Sequence, residues 1–187
     1  RVEAAREIIT EAGKSTRFMA PPSRGFRLLR DAVLSLSLTE EFVRPLYHWR
    51  TSRPHEYKHS ALNSMSDDNA QFTGGPALGA PPQNVQLKAD DFLLDHLGGG
   101  FDLVYAAQDQ SIPQELLKAV ELAKNKGLPL KLLAITHVDL AIKGADKTLF
   151  DPQQRFQLRY ALPLGGAYLF RPDQHVCGRW LQVDATR

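Results

Sequence analysis

Residues 55–59 read His55-Glu56-Tyr57-Lys58-His59, a match to H-E-x-x-H, in which two histidines one helical turn apart hold zinc and the glutamate activates a water. The chemistry needs a helix beneath it, because only there do positions i and i+4 share a face. Pro54 precedes the motif, and the flanking residues carry no amphipathic stripe. Position 62 is Leu, and no glutamate follows before Glu115 to serve as a third ligand. A solvated connecting segment is the expectation here, with a zinc hydrolase as the competing reading.

The other reactive types are thinly spread. Gly74-Gly75-Pro76-Ala77-Leu78-Gly79 is glycine-rich, but it lacks the Lys and Ser/Thr of a phosphate-binding loop, and G-x-G-x-x-G occurs nowhere in the chain. Gly98-Gly99-Gly100 reads as a terminator ahead of a strand. Cys177 is the only cysteine, which excludes an intramolecular disulfide and a C-x-x-C redox pair. His175 lies two residues from it, which on a strand is the same face without hydrogen-bonding reach, so packing is the expected role of the thiol. His137 with Asp139, or His96 with Asp95, has acid–base types, yet nothing in the sequence supplies a third partner, and surface or capping roles are expected. The most distinctive run is Arg171-Pro172-Asp173-Gln174-His175-Val176-Cys177-Gly178-Arg179-Trp180. Pro172 fixes a turn, and Arg171 and Asp173 can clamp backbone or each other through charge-assisted hydrogen bonds.

The elements that position these residues follow from periodicity and punctuation. Ala4, Ala5, Ile8, Ile9 and Ala12 lie at helical spacing, ended by Gly13. A second helix places Phe26, Leu29, Val33 and Leu36 on one stripe and stops before Arg44-Pro45. Residues 47–72 lack periodicity and lead into the Gly- and Pro-rich run at 74–82. Downstream, the pattern predicts a strand at 85–88, a short helix at 90–97 and a buried strand at 101–106. A helix follows, opened by a Ser111/Gln114 capping box and closed by Gly127 and Pro129. Then come a strand at 130–135, a helix at 152–160, and strands at 167–170 and 175–180 joined as a hairpin. This is a two-layer α/β domain with helices covering a mixed sheet. The predicted organisation is 1–46 helical, 47–82 connecting segment and linker, and 83–187 the α/β domain.

Composition narrows the function classes. The 187 residues are 43% hydrophobic and 24% charged, ordinary globular usage, with a formal net charge of only +2. No single-sign field is available to hold a nucleic-acid backbone. No stretch approaches a membrane span, and the opening residues lack a signal peptide's apolar region, so a cytoplasmic protein is expected. Residue 1 is Arg, already inside a helical pattern, so the chain is expected to be a piece of a larger protein.

The run at 171–180 resembles the terminal R-P-D-x-x-V-A-x-R motif of the FAD-dependent aromatic-ring hydroxylases, the group of phenol, 3-hydroxybenzoate, 3-(3-hydroxyphenyl)propionate and polyketide hydroxylases. The likeness extends back through Gly79-Ala80-Pro81-Pro82-Gln83-Asn84-Val85, Leu93-Leu94-Asp95 and Gly100-Phe101-Asp102-Leu103-Val104. Met19-Ala20-Pro21-Pro22 and Leu29-Arg30-Asp31 resemble the 3-(3-hydroxyphenyl)propionate branch. The resemblance implies a thioredoxin-like C-terminal domain behind the helical end of a catalytic domain. It also implies a parent flavoprotein monooxygenase, using FAD and NAD(P)H, that hydroxylates a phenolic ring in aromatic-compound catabolism. The flavin and substrate motifs of that group would precede Arg1, so no catalytic, cofactor-binding or metal-binding residue carries over. With one thiol the domain cannot complete a disulfide cycle, and packing on the upstream FAD/substrate domain or homodimer contacts remain as its roles. Cys177 and Gly178 depart from the usual motif. A free-standing, redox-inactive thioredoxin-like binding module is the alternative.

Overall fold

A computed structural model describes residues 2–47, 55–64 and 67–183. Pro54, used in the sequence reading, lies outside the described residues. The chain divides into two compact units, Arg1–His55 and Glu56–Arg187.

The first unit is helical. Helix α1 (Val2–Met19) runs through Gly13 rather than ending there. A Cβ built at Gly13 would meet nothing within 4 Å, so the glycine weakens an exposed turn without breaking it. The helix ends instead before Pro21, where the residue preceding a proline is steered out of the α region. Helix α2 (Arg24–Leu36) opens on Ser23, whose hydroxyl accepts the Phe26 N–H. It stops eight residues short of Arg44, in a serine- and threonine-rich turn where Ser37 donates its hydroxyl to the Leu34 carbonyl and competes with the helical ladder. Pro45 falls in the first turn of the short helix α3 (Arg44–Tyr47), a place where its missing N–H costs nothing. Among the described residues of this unit only Ala4, Val33 and Val43 are buried. Of the predicted stripe on α2, Phe26, Leu29 and Leu36 stay exposed, as do Ile8 and Ile9 of α1.

The second unit is built on a five-stranded mixed sheet, in the order β5-β4-β3-β6-β7. Strands β3 (Phe101–Ala106), β4 (Leu130–Thr136) and β5 (Lys147–Phe150) are parallel, whereas β6 (Ala167–Phe170) and β7 (Val176–Trp180) run antiparallel as a hairpin. This is the α/β domain with a mixed sheet that the sequence predicts: a β–α–β unit followed by a β-hairpin. Alternate residues of the central strands point to opposite faces. Val104, Leu133, Tyr168 and Phe170 join Phe156 and Tyr160 of helix α5 (Arg155–Tyr160) on one side. Leu103, Leu132 and Ala167 meet Leu116 and Val120 of helix α4 (Gln114–Asn125) on the other. Helix α4 closes on Gly127 at φ +84°: Gly127 N–H reaches the Lys124 carbonyl and Leu128 N–H the Ala123 carbonyl, satisfying two orphan acceptors of the last turn.

Three local readings are corrected. Residues 90–97 are not one helix. Strands β1 (Gln86–Lys88) and β2 (Asp91–Phe92) form a small antiparallel pair, and Leu93–His96 is a 3-10 turn. The reversal is set by Asp90 at φ +57°, and Asn84 holds the turn by accepting the Leu94 N–H. Ser111 does not cap α4; it bridges to Lys143, and Pro113 occupies the N-cap position with no side-chain bond. Strand β5 was not predicted, because Lys147–Phe150 is short and only Leu149 is buried along it.

Asp102 is the deepest charge in the sheet. Its Oδ2 accepts the Gly98 N–H at 2.6 Å and so ties the triple-glycine loop to the start of β3. Burial pushes its pKa above the ordinary carboxylate value, against the pull of the Gly98 N–H and of Lys131.

Gly13→Ala should stabilise the helical unit by about 0.5–1 kcal/mol, since it removes glycine's backbone entropy from a helix interior with open space around it. Urea unfolding followed by far-UV circular dichroism checks this; a lower midpoint would place the end of α1 at Gly13.

Candidate functional site

The run at 171–180 forms the β6–β7 turn and strand β7 and carries two buried arginines. Arg171 N–H donates to the His175 carbonyl, Gln174 N–H donates to the Arg171 carbonyl, and Gln174 sits at φ +59°. That is a type I turn with Pro172 at its first central position, followed by one left-handed residue. The Arg171 guanidinium grips Asp173 in a two-pronged pair, Nε–Oδ1 3.0 Å and Nη2–Oδ2 2.9 Å, and also reaches the Ser60 hydroxyl. Burial alone would raise the Asp173 pKa, but the hydrogen bonds and charge of Arg171, with His175 adding to them, hold it below the ordinary value.

Arg179, buried on β7, faces a different segment. Its Nε donates to Asn69 Oδ1, Nη2 to the Asn69 carbonyl at 3.1 Å and Nη1 to the Pro76 carbonyl at 3.2 Å. The guanidinium carbon lies 4.4 Å over the centre of the Phe72 ring, and Phe72 meets Tyr168 edge-on. Backbone bonds complete the attachment: Gly79 N–H to the Val176 carbonyl, Val176 N–H to Ala80, Ser64 N–H to Cys177 and Tyr57 N–H to Gly79. Residues 57–64 and 67–80 therefore lie as a strap along the outer edge of β7. The glycine run at 74–79 serves close approach, not phosphate. Gly75 and Gly79 have φ of +72° and +77°, and a Cβ on either would collide with the Tyr160 or the Tyr57 carbonyl.

Cys177 sits mid-strand on β7, 3% exposed, with its Sγ 3.5 Å from the Leu169 carbonyl. Burial pushes the thiol up to about 11, outweighing the Arg171 charge that would lower it. A thioredoxin-like redox thiol belongs at the turn from a central strand into its helix, where N–H groups stabilise a thiolate. Here that turn, from β3 into α4, carries Gln108, Asp109, Gln110 and Ser111. The same turn is unsuited to a flavin dinucleotide, because it has no glycine to let a pyrophosphate approach and it places Glu115 in the first turn of α4.

The H-E-x-x-H residues are not on a helix. Residues 55–57 are irregular and Lys58-His59 form a turn. His55 bonds Glu7, Glu56 pairs with Lys58 at 3.0 Å, and His59 is exposed. Among the described residues no cluster of three or more metal-ligating side chains forms.

The nominated acid–base pairs regroup. His96 pairs with Asp91, not Asp95, with Nε2–Oδ1 at 2.6 Å, and its Nδ1 lies 3.0 Å from Lys147 Nζ. Asp95 instead accepts the Phe92 N–H within its own turn. Asp91, His96, Asp139 and Lys147 line an open cleft of about 600 Å³ between the β1–β2 pair and β5, while His137 is exposed. Lys147 could not be nominated from the sequence, because it lies 51 residues from His96 and only the fold joins them. No residue in this cleft is an activated nucleophile: Thr148, the lone hydroxyl among its lining residues, accepts the Ile142 N–H.

Comparison with solved structures gives the class of fold. The chain resembles the rebeccamycin biosynthetic enzyme RebC, determined with reduced flavin, at a TM-score of 0.61 and 20% identity, covering 100% of this chain and 33% of that one. RebC-10x with bound 7-carboxy-K252c gives 0.60 and 18%, over 99% and 32%. Aklavinone-11 hydroxylase, solved with FAD and aklavinone, gives 0.51 and 20%, over 83% and 31%. The chain thus spans about a third of the length of these proteins and has the fold of that third. No protein-family model matches the sequence, and no curated protein matches it.

Two outcomes follow from this geometry. Gly79→Ala should destabilise the α/β unit by at least about 1 kcal/mol, since the new Cβ meets the Tyr57 backbone at a positive φ; an unchanged urea midpoint would show that the strap is not held there. The Cys177 thiol should react with a disulfide reagent only on unfolding, so its rate at neutral pH should track denaturant concentration, and fast labelling of the native protein would contradict its burial.

Proposed function

We propose that this chain is the C-terminal region of a larger FAD- and NAD(P)H-dependent monooxygenase that hydroxylates a phenolic aromatic ring. In this reading residues 1–46 complete the upstream catalytic domain, residues 47–82 connect, and residues 83–187 are a structural domain without redox chemistry of its own. The observation that carries the reading is the full-length match to a flavin enzyme, which runs through both the helical unit and the α/β unit while covering only a third of that enzyme. The surface of the helical unit supports it. Val2, Ile9, Met19, Leu28, Leu29 and Phe42 are all more than half exposed, apolar area that an isolated helical unit would leave in water. The resemblance of the 19–31 and 171–180 runs to the aromatic-ring hydroxylases supports the phenolic substrate class.

In the parent, FAD would supply oxygen activation, and this chain's part would be to hold the R-P-D hairpin and its strap rigid beside the catalytic domain. The coding sequence upstream of Arg1 tests the proposal. A G-x-G-x-x-G after a strand is expected there, and the full-length product should bind FAD and oxidise NAD(P)H in the presence of phenols. Residues 1–187 alone should do neither. An upstream sequence without that fingerprint, or turnover by the 187-residue chain, would overturn the reading.

A further inference from the structure

The Asp91–His96–Lys147 cluster stands apart from the β6–β7 hairpin and its strap. Lys147 Nζ can only donate, so at 3.0 Å it requires His96 Nδ1 to be the unprotonated ring nitrogen. The ring proton then sits on Nε2, where Asp91 Oδ1 accepts it at 2.6 Å. A neutral imidazole is thereby held between a carboxylate on β2 and an ammonium at the start of β5. These are elements of two different sheets, and no other hydrogen bond described between side chains joins them. The remaining charges around the ring are Lys88, 3.7 Å from Asp91 Oδ2, Asp90 and Asp139 on the cleft wall, and Asp95, occupied by the Phe92 N–H.

We propose that Asp91, His96 and Lys147 form a proton-sensitive latch, which holds edge strand β5 to the β1–β2 pair when His96 is neutral and lets go of Lys147 when it is protonated. Imidazole is the side chain whose ordinary titration lies between pH 5 and 8. One proton taken up at Nδ1 converts the acceptor of the Lys147 bond into a donor, so that bond breaks and two cations face each other. The Nε2–H bond to Asp91 survives as an ion pair, so His96 stays on its own turn while β5 is released. Strand β5 is the element to respond, because it is the outer strand of the large sheet and its main-chain pairing is to β4 alone.

Two independent readouts test this on the 187-residue chain. Ring nitrogen chemical shifts should assign the Nε2–H tautomer to His96 at neutral pH. Amide-exchange protection factors in β5 should fall by about three- to tenfold, the worth of one hydrogen bond, between about pH 7.5 and about pH 5.5. Lys147→Met keeps the side-chain stem and lacks the donor; it should show the low protection at both pH values, with the step gone, and His96→Gln should abolish the step as well. An Nδ1–H tautomer at neutral pH, protection in β5 that does not change with pH, or a step that persists in Lys147→Met would each overturn the latch.

Discussion

The Arg179 guanidinium is the constraint from which the architecture of the α/β unit follows. A buried cation must have acceptors for its N–H groups, since leaving one unpaired costs more than a lost neutral hydrogen bond. The carbonyls of Asn69 and Pro76, the Asn69 side chain and the face of Phe72 meet that demand together. Satisfying the charge therefore fixes the path of residues 69–76. That path lays Phe72 against Tyr168 and brings Gly75 under the Tyr160 carbonyl. Arg171 plays the same part at the other end of β7, where its pair with Asp173 stiffens the turn and its third nitrogen reaches Ser60. Two arginines eight residues apart thus anchor one long segment to one strand.

The consequence is a protected edge. An outermost strand presents unpaired N–H and C=O groups, and β7 would offer them to any other chain. Here Gly79, Ala80 and Ser64 take those bonds instead. Glycine is required at 75 and 79 because the strap passes too close to neighbouring carbonyls for a side chain. Beneath it, the stacked rings of Phe156 and Tyr160, with Tyr168 edge-on, fill the space between α5 and the sheet. The Tyr160 hydroxyl bonds Gln83 through both its N–H and its carbonyl, which fastens the end of the strap; burial raises that phenol's pKa far above its ordinary value.

What the chain does chemically is defined by where its polar groups went. The thiol is in the core of a strand, the β3–α4 turn carries amides, a carboxylate and a serine, and the arginines are spent on architecture. The cluster around His96 holds its imidazole between partners of opposite charge, Asp91 and Lys147. The fold that holds these groups is shared with about a third of the length of larger flavin enzymes.

Periodicity and punctuation in the sequence were enough to place β3, α4, β4, α5 and the β6–β7 hairpin, because each has a strong apolar pattern or a Pro or Gly stop, and the turn at Pro172-Asp173 could be read directly. The single cysteine likewise settled the absence of an internal thiol pair. Weaker local signals failed where tertiary contacts outweighed them. Gly13 was tolerated in an exposed helix, Ser111 was drawn into a bridge with Lys143, and β5 formed on the strength of pairing with β4 rather than its own pattern. The sequence named Arg171, Arg179 and His96 as noteworthy, but not their partners. Asn69, Phe72, Asp91 and Lys147 come together only when strands distant in the chain are brought side by side. Hydrogen bonds of that kind depend on distance in space, to which a linear pattern of residue types gives no access.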